Sequence, residues 1–228
     1  MANICELIVN EKARSPIAEA FRTLRTNLQF SKAAGELKVI VFTSSGPGEG
    51  KSTVVANTAV ALAQAGKKVL ILDCDLRRPI QHKIFRLKNY GLTNALVEES
   101  SVDSIIQQSN INNVYVVTSG PIPPNPSELL GTGRMQALLN ALMLQCDVIL
   151  VDAPPIIAVT DASILAAKAD GVILVVNSGT NRPEIIQKAK ELLTKAHSHI
   201  LGIVLNRVDI EDEAYYYYYY GTESKKSG

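Results

Sequence analysis

Three cysteines are all the chain has, and Cys5, Cys74 and Cys146 lie far apart with no C-x-x-C pair. That excludes a disulfide framework and a cysteine-ligated zinc site, and predicts buried free thiols. The three histidines, His82, His197 and His199, form no ligand spacing and read as surface or structural residues. No apolar run approaches the roughly 18 residues of a membrane span, and the opening "MANICELIVNEKARS" lacks the basic start and apolar centre of a signal peptide. A cytoplasmic location is expected. Neither sign of charge dominates: the formal net charge is +1. General attraction to nucleic acid or anionic lipid is thereby excluded, so no nucleic-acid partner is expected and any charge-driven contact must be local. No internal repeat occurs.

An apolar fraction of 46% over 228 residues suffices for one substantial core. Strand-like runs recur at "LKVIVFT" (37–43), "KVLILD" (68–73), "VYVVTS" (114–119), "DVILVD" (147–152), "GVILVV" (171–176) and "ILGIVLN" (200–206). Most are unbroken, the pattern of parallel strands buried on both faces. Helix-length segments fall at 52–66, 132–145, 160–170 and 182–196. The alternation predicts an α/β fold, a doubly wound and mostly parallel sheet flanked by helices. Ahead of it, "SPIAEAFRTLRTNLQF" (15–30) offers Ser15 as N-cap, Pro16 at the first helical position, and Ile17, Phe21, Leu24 and Leu28 on one stripe. We expect three regions: an N-terminal helix (1–35), a nucleotide-binding domain (36–208) and a mobile tail (209–228).

Between the first strand and the following helix stands "TSSGPGEGKST". Glycines there let backbone N–H groups converge on phosphate oxygens, and the helix start adds its positive dipole end. The predicted nucleotide contacts are Ser45, Gly46, Pro47, Gly48, Glu49, Gly50, Lys51, Ser52 and Thr53, with ATP and Mg²⁺ as cofactors. Lys51 would reach the β- and γ-phosphates from outside the core, and the Ser52 hydroxyl would ligate Mg²⁺. One departure stands out: the strict pattern has Gly where this chain has Ser45. Two strands then end in carboxylates, Asp73 and Asp75 in "LILDCDLRRP" and Asp152 in "ILVDAPP". In parallel α/β sheets ligands sit beyond these strand ends, so the three can converge on one Mg²⁺-nucleotide.

The tail holds six consecutive tyrosines, Tyr215, Tyr216, Tyr217, Tyr218, Tyr219 and Tyr220, against two elsewhere, Tyr90 and Tyr115. Neither a helix nor a strand turns six neighbours to one face, which argues against a buried role. A sticky low-complexity tail is the bland alternative.

Together, "GPGEGKST", "DCDLRRP" and "ILVDAPP" resemble the Walker A, Walker A′ and Walker B motifs of the bacterial tyrosine kinases of capsular and exopolysaccharide synthesis. "GPIPPNPSELL" (120–130) and the tyrosine-rich terminus resemble that family too. The resemblance implies that the six tyrosines are autophosphorylated in trans. Because a tyrosine hydroxyl needs a carboxylate to take its proton, Lys51, Asp73, Asp75 and Asp152 are the expected catalytic set. Ser52, Asp75 and Asp152 form the expected metal shell, mostly through water, with Asp73 favoured as base, although Asp73 and Asp75 exchange easily in this reading. The resemblance also places Asn206 near adenine, with a strand-end turn role as its alternative. Glu19, Arg22 and Arg25 would lie at the interface of a ring-shaped homo-oligomer, against the alternative of a solvated helix face. It further implies a separate membrane-anchored activator with a cytoplasmic tail, which would recruit the chain to the inner face of the membrane. A tyrosine phosphatase and protein substrates in polysaccharide synthesis complete the expected partners. Two other functions remain open at this point. A partition-type ATPase switch typically carries an extra lysine early in the phosphate loop, absent here; a non-enzymatic ATP-dependent adaptor would lack phosphotyrosine formation.

Overall fold

In the computed structural model, which describes residues 7–31, 37–98, 100–179 and 182–208, the six apolar runs all become strands. In chain order the elements are α1 (Ile8–Glu11), α2 (Pro16–Phe30), β1 (Val39–Ser44), α3 (Lys51–Gln64), β2 (Val69–Asp73), α4 (Gln81–Ile84), α5 (Leu92–Val97), α6 (Val102–Ile105) and β3 (Gln107–Gln108). There follow β4 (Val114–Val117), α7 (Pro126–Gly131), α8 (Gly133–Met143), β5 (Val148–Asp152), α9 (Asp161–Ala166), β6 (Gly171–Asn177), α10 (Pro183–Lys195) and β7 (Ile200–Asn206). The sheet order is β3-β4-β2-β5-β1-β6-β7. Every pairing is parallel except β3 with β4, an antiparallel edge of two glutamines that carries no apolar signal.

Alternation along each strand supplies two cores at once. Val41, Leu72, Val151 and Leu174 face the layer of α5 to α10, whereas Phe42, Ile71, Leu150 and Ile173 face α3 and the N-terminal helices. Both sets are buried, which is why the runs read as continuous. Phe42 is fully buried immediately below the glycine-rich loop, and truncating it to Ala would cost about 3–5 kcal/mol.

On the second face α3 is buried along most of its length, with Ala56, Ala59, Ala61 and Ala63 among its contacts. Small residues let α2 lie close against it. Ser15 caps α2 as expected, its hydroxyl accepting from Ala18 N at 3.2 Å, and Pro16 occupies the first turn. Among the described residues no helix is long and apolar enough to cross a membrane. The six tyrosines, with the whole predicted tail, lie outside the described residues.

Candidate active site

The carboxyl ends of β1, β2 and β5 meet, and the loop from Ser44 to Lys51 closes over them. Gly48 and Gly50 take positive φ (+77° and +87°), and Gly50 starts α3. At Gly50 a side chain is excluded by space as well as conformation, because a Cβ there would lie 2.1 Å from Asn206 Nδ2. Ser45 explains its own departure from the glycine pattern: its hydroxyl donates to Glu49 Oε1 at 2.5 Å, and Gly46 N–H donates to the same oxygen. The loop is thereby tied across its base by an acidic residue. A cleft of about 470 Å³ opens above it, lined by Pro47 to Thr53 and by Asp75, Arg77, Arg78 and Arg207. That volume suits a nucleotide-sized ligand, within the roughly 300–1,000 Å³ typical of small-molecule sites.

Lys51 is not outside the core as the sequence suggested. Its side chain is 8% exposed, with Nζ 2.8 Å from Asp152 Oδ1 and 3.0 Å from Asp75 Oδ2. Burial works against the charge, but the carboxylates of Asp152 and Asp75 outweigh it and hold the ammonium well above the usual lysine range. The correction has a physical reason: Lys51 opens α3 directly beneath the loop, where Asp152 at the end of β5 and Asp75 just beyond β2 converge.

The carboxylates differ in what they face. Asp152 is fully buried; its Oδ1 meets Lys51 and its Oδ2 accepts from Gln81 Nε2 at 2.7 Å. Asp75 lines the cleft, with Oδ1 accepting from Arg78 N at 3.1 Å. Asp73 pairs in register with Asp152 and is fully buried. Its Oδ2 accepts from Ile80 N (3.2 Å) and Gln81 N (3.0 Å), and its Oδ1 from Asp75 N (3.3 Å). Burial first, and then the nearby charge of Asp152, push the Asp73 carboxyl well above its ordinary value. Cys74, between the two, is buried and its thiol is likewise pushed up by burial, so it is inert.

Asn206 reaches the site, its amide donating to Glu49 O at 2.9 Å, and the next residue, Arg207, lines the cleft. The trio on α2 divides. Arg22 pairs with Glu19 at 2.6 Å, while Arg25 Nη1 turns inward to Ala61 O at 3.4 Å. Sequence reasoning missed Gln81, which has no motif of its own. It also missed the Arg77–Asp161 pair (3.0 and 3.1 Å), in which Ser127 Oγ donates to Asp161 at 2.5 Å. That network ties "GPIPPNPSELL" to the arginine after Asp75.

Among the described residues no group of three or more His, Cys, Asp or Glu side chains is arranged to hold a metal by itself. The oxygen donors of Ser52, Asp75 and Asp152 nevertheless surround a position that already holds a cation, the Lys51 ammonium, with Ser52 Oγ 3.4 Å away. With nucleotide phosphates added, such an all-oxygen set fits Mg²⁺.

A family model described as an AAA domain matches residues 37–200. The chain is 45% identical to the tyrosine-protein kinase YwqD of Bacillus subtilis, over 88% of this chain and 85% of that one. It is 42% identical to the putative tyrosine-protein kinase CapB of Staphylococcus aureus, over 92% of each. Against the tyrosine-protein kinase etk of Escherichia coli identity is 36% over 90% of this chain but 28% of that one. Among solved structures the chimerical protein CapA2B2 superposes with a TM-score of 0.85 at 44% identity, covering 89% of both chains. The septum site-determining protein MinD of Pyrococcus horikoshii, complexed with Mg-ADP, reaches 0.66 at 27% identity, covering 77% of this chain and 72% of that one.

Proposed function

The chain belongs to the bacterial tyrosine-protein kinases, and from that premise we propose that it transfers the γ-phosphoryl group of ATP to Tyr215–220 of a neighbouring copy, regulating capsular or exopolysaccharide synthesis. The observation that carries this reading is the Lys51 ammonium held between Asp75 and Asp152 at the floor of the cleft. On nucleotide entry Lys51 exchanges those carboxylates for the β- and γ-phosphates. Mg²⁺, when bound with the nucleotide, neutralises charge on the transferring group. The tyrosine oxygen forms a bond to the γ-phosphorus as the bond to the β,γ-bridging oxygen breaks, ADP leaves, and a carboxylate takes the phenolic proton.

Geometry favours Asp75 as that carboxylate. It lines the cleft, whereas the Asp73 oxygens are occupied by three backbone N–H groups of the turn from Asp75 to Gln81. In this reading the base passes from Asp73 to Asp75, Asp73 holds the turn, and Ser52 and Asp152 remain with the metal. Asn206 supports the loop through its bond to Glu49 O.

Assembly into a ring through α2 belongs to the same proposal. Glu19 and Arg22 keep 39% and 30% of their side chains exposed, enough for a neighbour to engage the pair, while Arg25 anchors the helix to α3. A membrane-anchored activator would recruit the chain to the inner face of the membrane, and a phosphatase would reset the tail. The test mixes active chain truncated after residue 208 with full-length Lys51→Met in the presence of Mg²⁺-ATP. Phosphotyrosine on the Lys51→Met chain supports transfer between copies. Its absence, with wild type alone also unmodified in the presence of the activator, refutes the kinase reading.

A further inference from the structure

Gln81 is fully buried and touches all three motifs of the site. Its backbone N–H donates to Asp73 Oδ2 at 3.0 Å, and its side-chain amide donates to Asp152 Oδ2 at 2.7 Å and to Ser52 O at 3.2 Å. Both side-chain partners are acceptors, so the NH₂ end must face them. The other end, Oε1, is buried with no partner among the described residues. An unpaired buried acceptor destabilises, and an apolar residue of equal volume would not carry that penalty. That penalty is offset only through the two bonds the amide donates, to Asp152 Oδ2 and to the Ser52 carbonyl, which an apolar residue would leave without a donor; volume and apolarity alone do not account for a glutamine here.

The arrangement at Asp152 does. A carboxylate on one rotatable bond has a broad torsional well, and two fixed partners on opposite oxygens are needed to define it. Lys51 holds Oδ1 and Gln81 holds Oδ2. When Lys51 turns to phosphate, Gln81 becomes the remaining direct restraint on that carboxylate. Its second bond, to the Ser52 carbonyl, fixes the backbone of the residue whose hydroxyl faces the same position.

We propose that Gln81 is a positioning residue for magnesium-dependent nucleotide binding, orienting Asp152 and the start of α3 as one unit. Only the activity arm of its test rests on the kinase reading. The primary measurement is the affinity for a fluorescent ADP analogue, with Mg²⁺ and with EDTA, in wild type, Gln81→Asn, Gln81→Met and Gln81→Glu, each checked for folding by circular dichroism. Outer partners of metal ligands are typically worth about 10- to 100-fold. The Mg²⁺-dependent gain in affinity should accordingly fall about tenfold in Gln81→Met. It should fall further in Gln81→Glu, where an acceptor faces two acceptors, and Gln81→Asn, which keeps the amide on a shorter stem, should lie between wild type and Gln81→Met. Affinity in EDTA should fall less than affinity with Mg²⁺, because only the bond to the Ser52 carbonyl, and no metal ligand, is at stake there.

The rate of phosphotyrosine formation should show a raised Mg²⁺ half-saturation in the same order. Equal losses with and without Mg²⁺ would mean packing alone and overturn the proposal, as would an unchanged Mg²⁺ response in Gln81→Met and Gln81→Glu. A shifted Mg²⁺ response in a chain that forms no phosphotyrosine would uphold Gln81 and refute the kinase reading.

Discussion

Asn206 Nδ2 donates to Glu49 O at 2.9 Å, joining the last strand to the phosphate loop across 157 positions of sequence. The same nitrogen occupies the space a Gly50 side chain would need. Gly50→Ala therefore meets two penalties, the clash and a left-handed backbone that costs an L-residue about 1–2 kcal/mol. Adding Asn206→Ala removes the clash and leaves the backbone strain. We expect the double variant to regain part of the melting temperature lost in Gly50→Ala, with weak nucleotide binding in both. Thermal melts and ADP titration check this; a double variant no more stable than Gly50→Ala would show that contact with Asn206 is not what restricts the position.

Lys51→Met should eliminate phosphotyrosine formation and, unlike a substitution at an exposed lysine, should also destabilise the fold. It leaves Asp75 and buried Asp152 without their cation, and removing one member of a buried ion pair costs about 3–5 kcal/mol. Urea denaturation near neutral pH would register the loss. Wild-type stability would mean that the ammonium is solvated and the site more open than the structure shows.

How much of this was readable beforehand follows from the kind of signal each part carries. The parallel sheet was legible because burial on both faces turns β1, β2, β5 and β6 into unbroken apolar runs. The loop was legible because Gly48, Gly50 and Lys51 belong to a fixed spacing. The burial of Lys51 was not: whether a lysine faces solvent or two carboxylates depends on strands more than 20 and 100 residues away. Gln81 was invisible for the same reason, since its partners at Ser52 and Asp152 are 29 and 71 positions distant. The trio on α2 looked like one surface, yet the close approach of α3 takes Arg25 inward.

The pair Arg77–Asp161 should respond unequally to its two deletions. Asp161 is fully buried, whereas Arg77 keeps 41% of its side chain exposed. Arg77→Ala leaves a buried carboxylate with hydroxyl support from Ser127, while Asp161→Asn leaves a guanidinium that water can solvate. Arg77→Ala should therefore be the more destabilising, toward the 3–5 kcal/mol of an uncompensated buried charge and against roughly 1–2 kcal/mol for Asp161→Asn. Denaturation of both variants under one buffer condition decides it, and the reverse order would indicate that the pair holds Arg77 rather than Asp161.

Asp73 and Asp75 should separate chemistry from folding. Asp75→Asn should lower the rate at saturating ATP by about 10²-fold or more, the loss expected for a general base, and should destabilise less than Lys51→Met, because Lys51 keeps Asp152 as its counter-ion. Asp73→Asn should mainly destabilise, by about 1–3 kcal/mol, because an amide NH₂ accepts no hydrogen bond, whereas both oxygens of the carboxyl group, protonated or not, keep acceptor capacity for the backbone donors they serve. The pH dependence gives an independent check. In the folded chain burial and Asp152 hold the Asp73 carboxyl above its ordinary value of 3.8, so the native state binds this proton more tightly than the unfolded state does. Stability associated with Asp73 is then fully present below the ordinary value and is lost as pH rises through the raised one. Asp73→Asn has no such proton, so its deficit against wild type should be largest in acid and should narrow toward alkaline pH. Paired denaturation curves across that window measure the trend. A deficit that widens with pH would mean that ionised Asp73 is favoured by its three N–H donors more than burial and Asp152 oppose it, and full activity in Asp75→Asn would return the proton to another group.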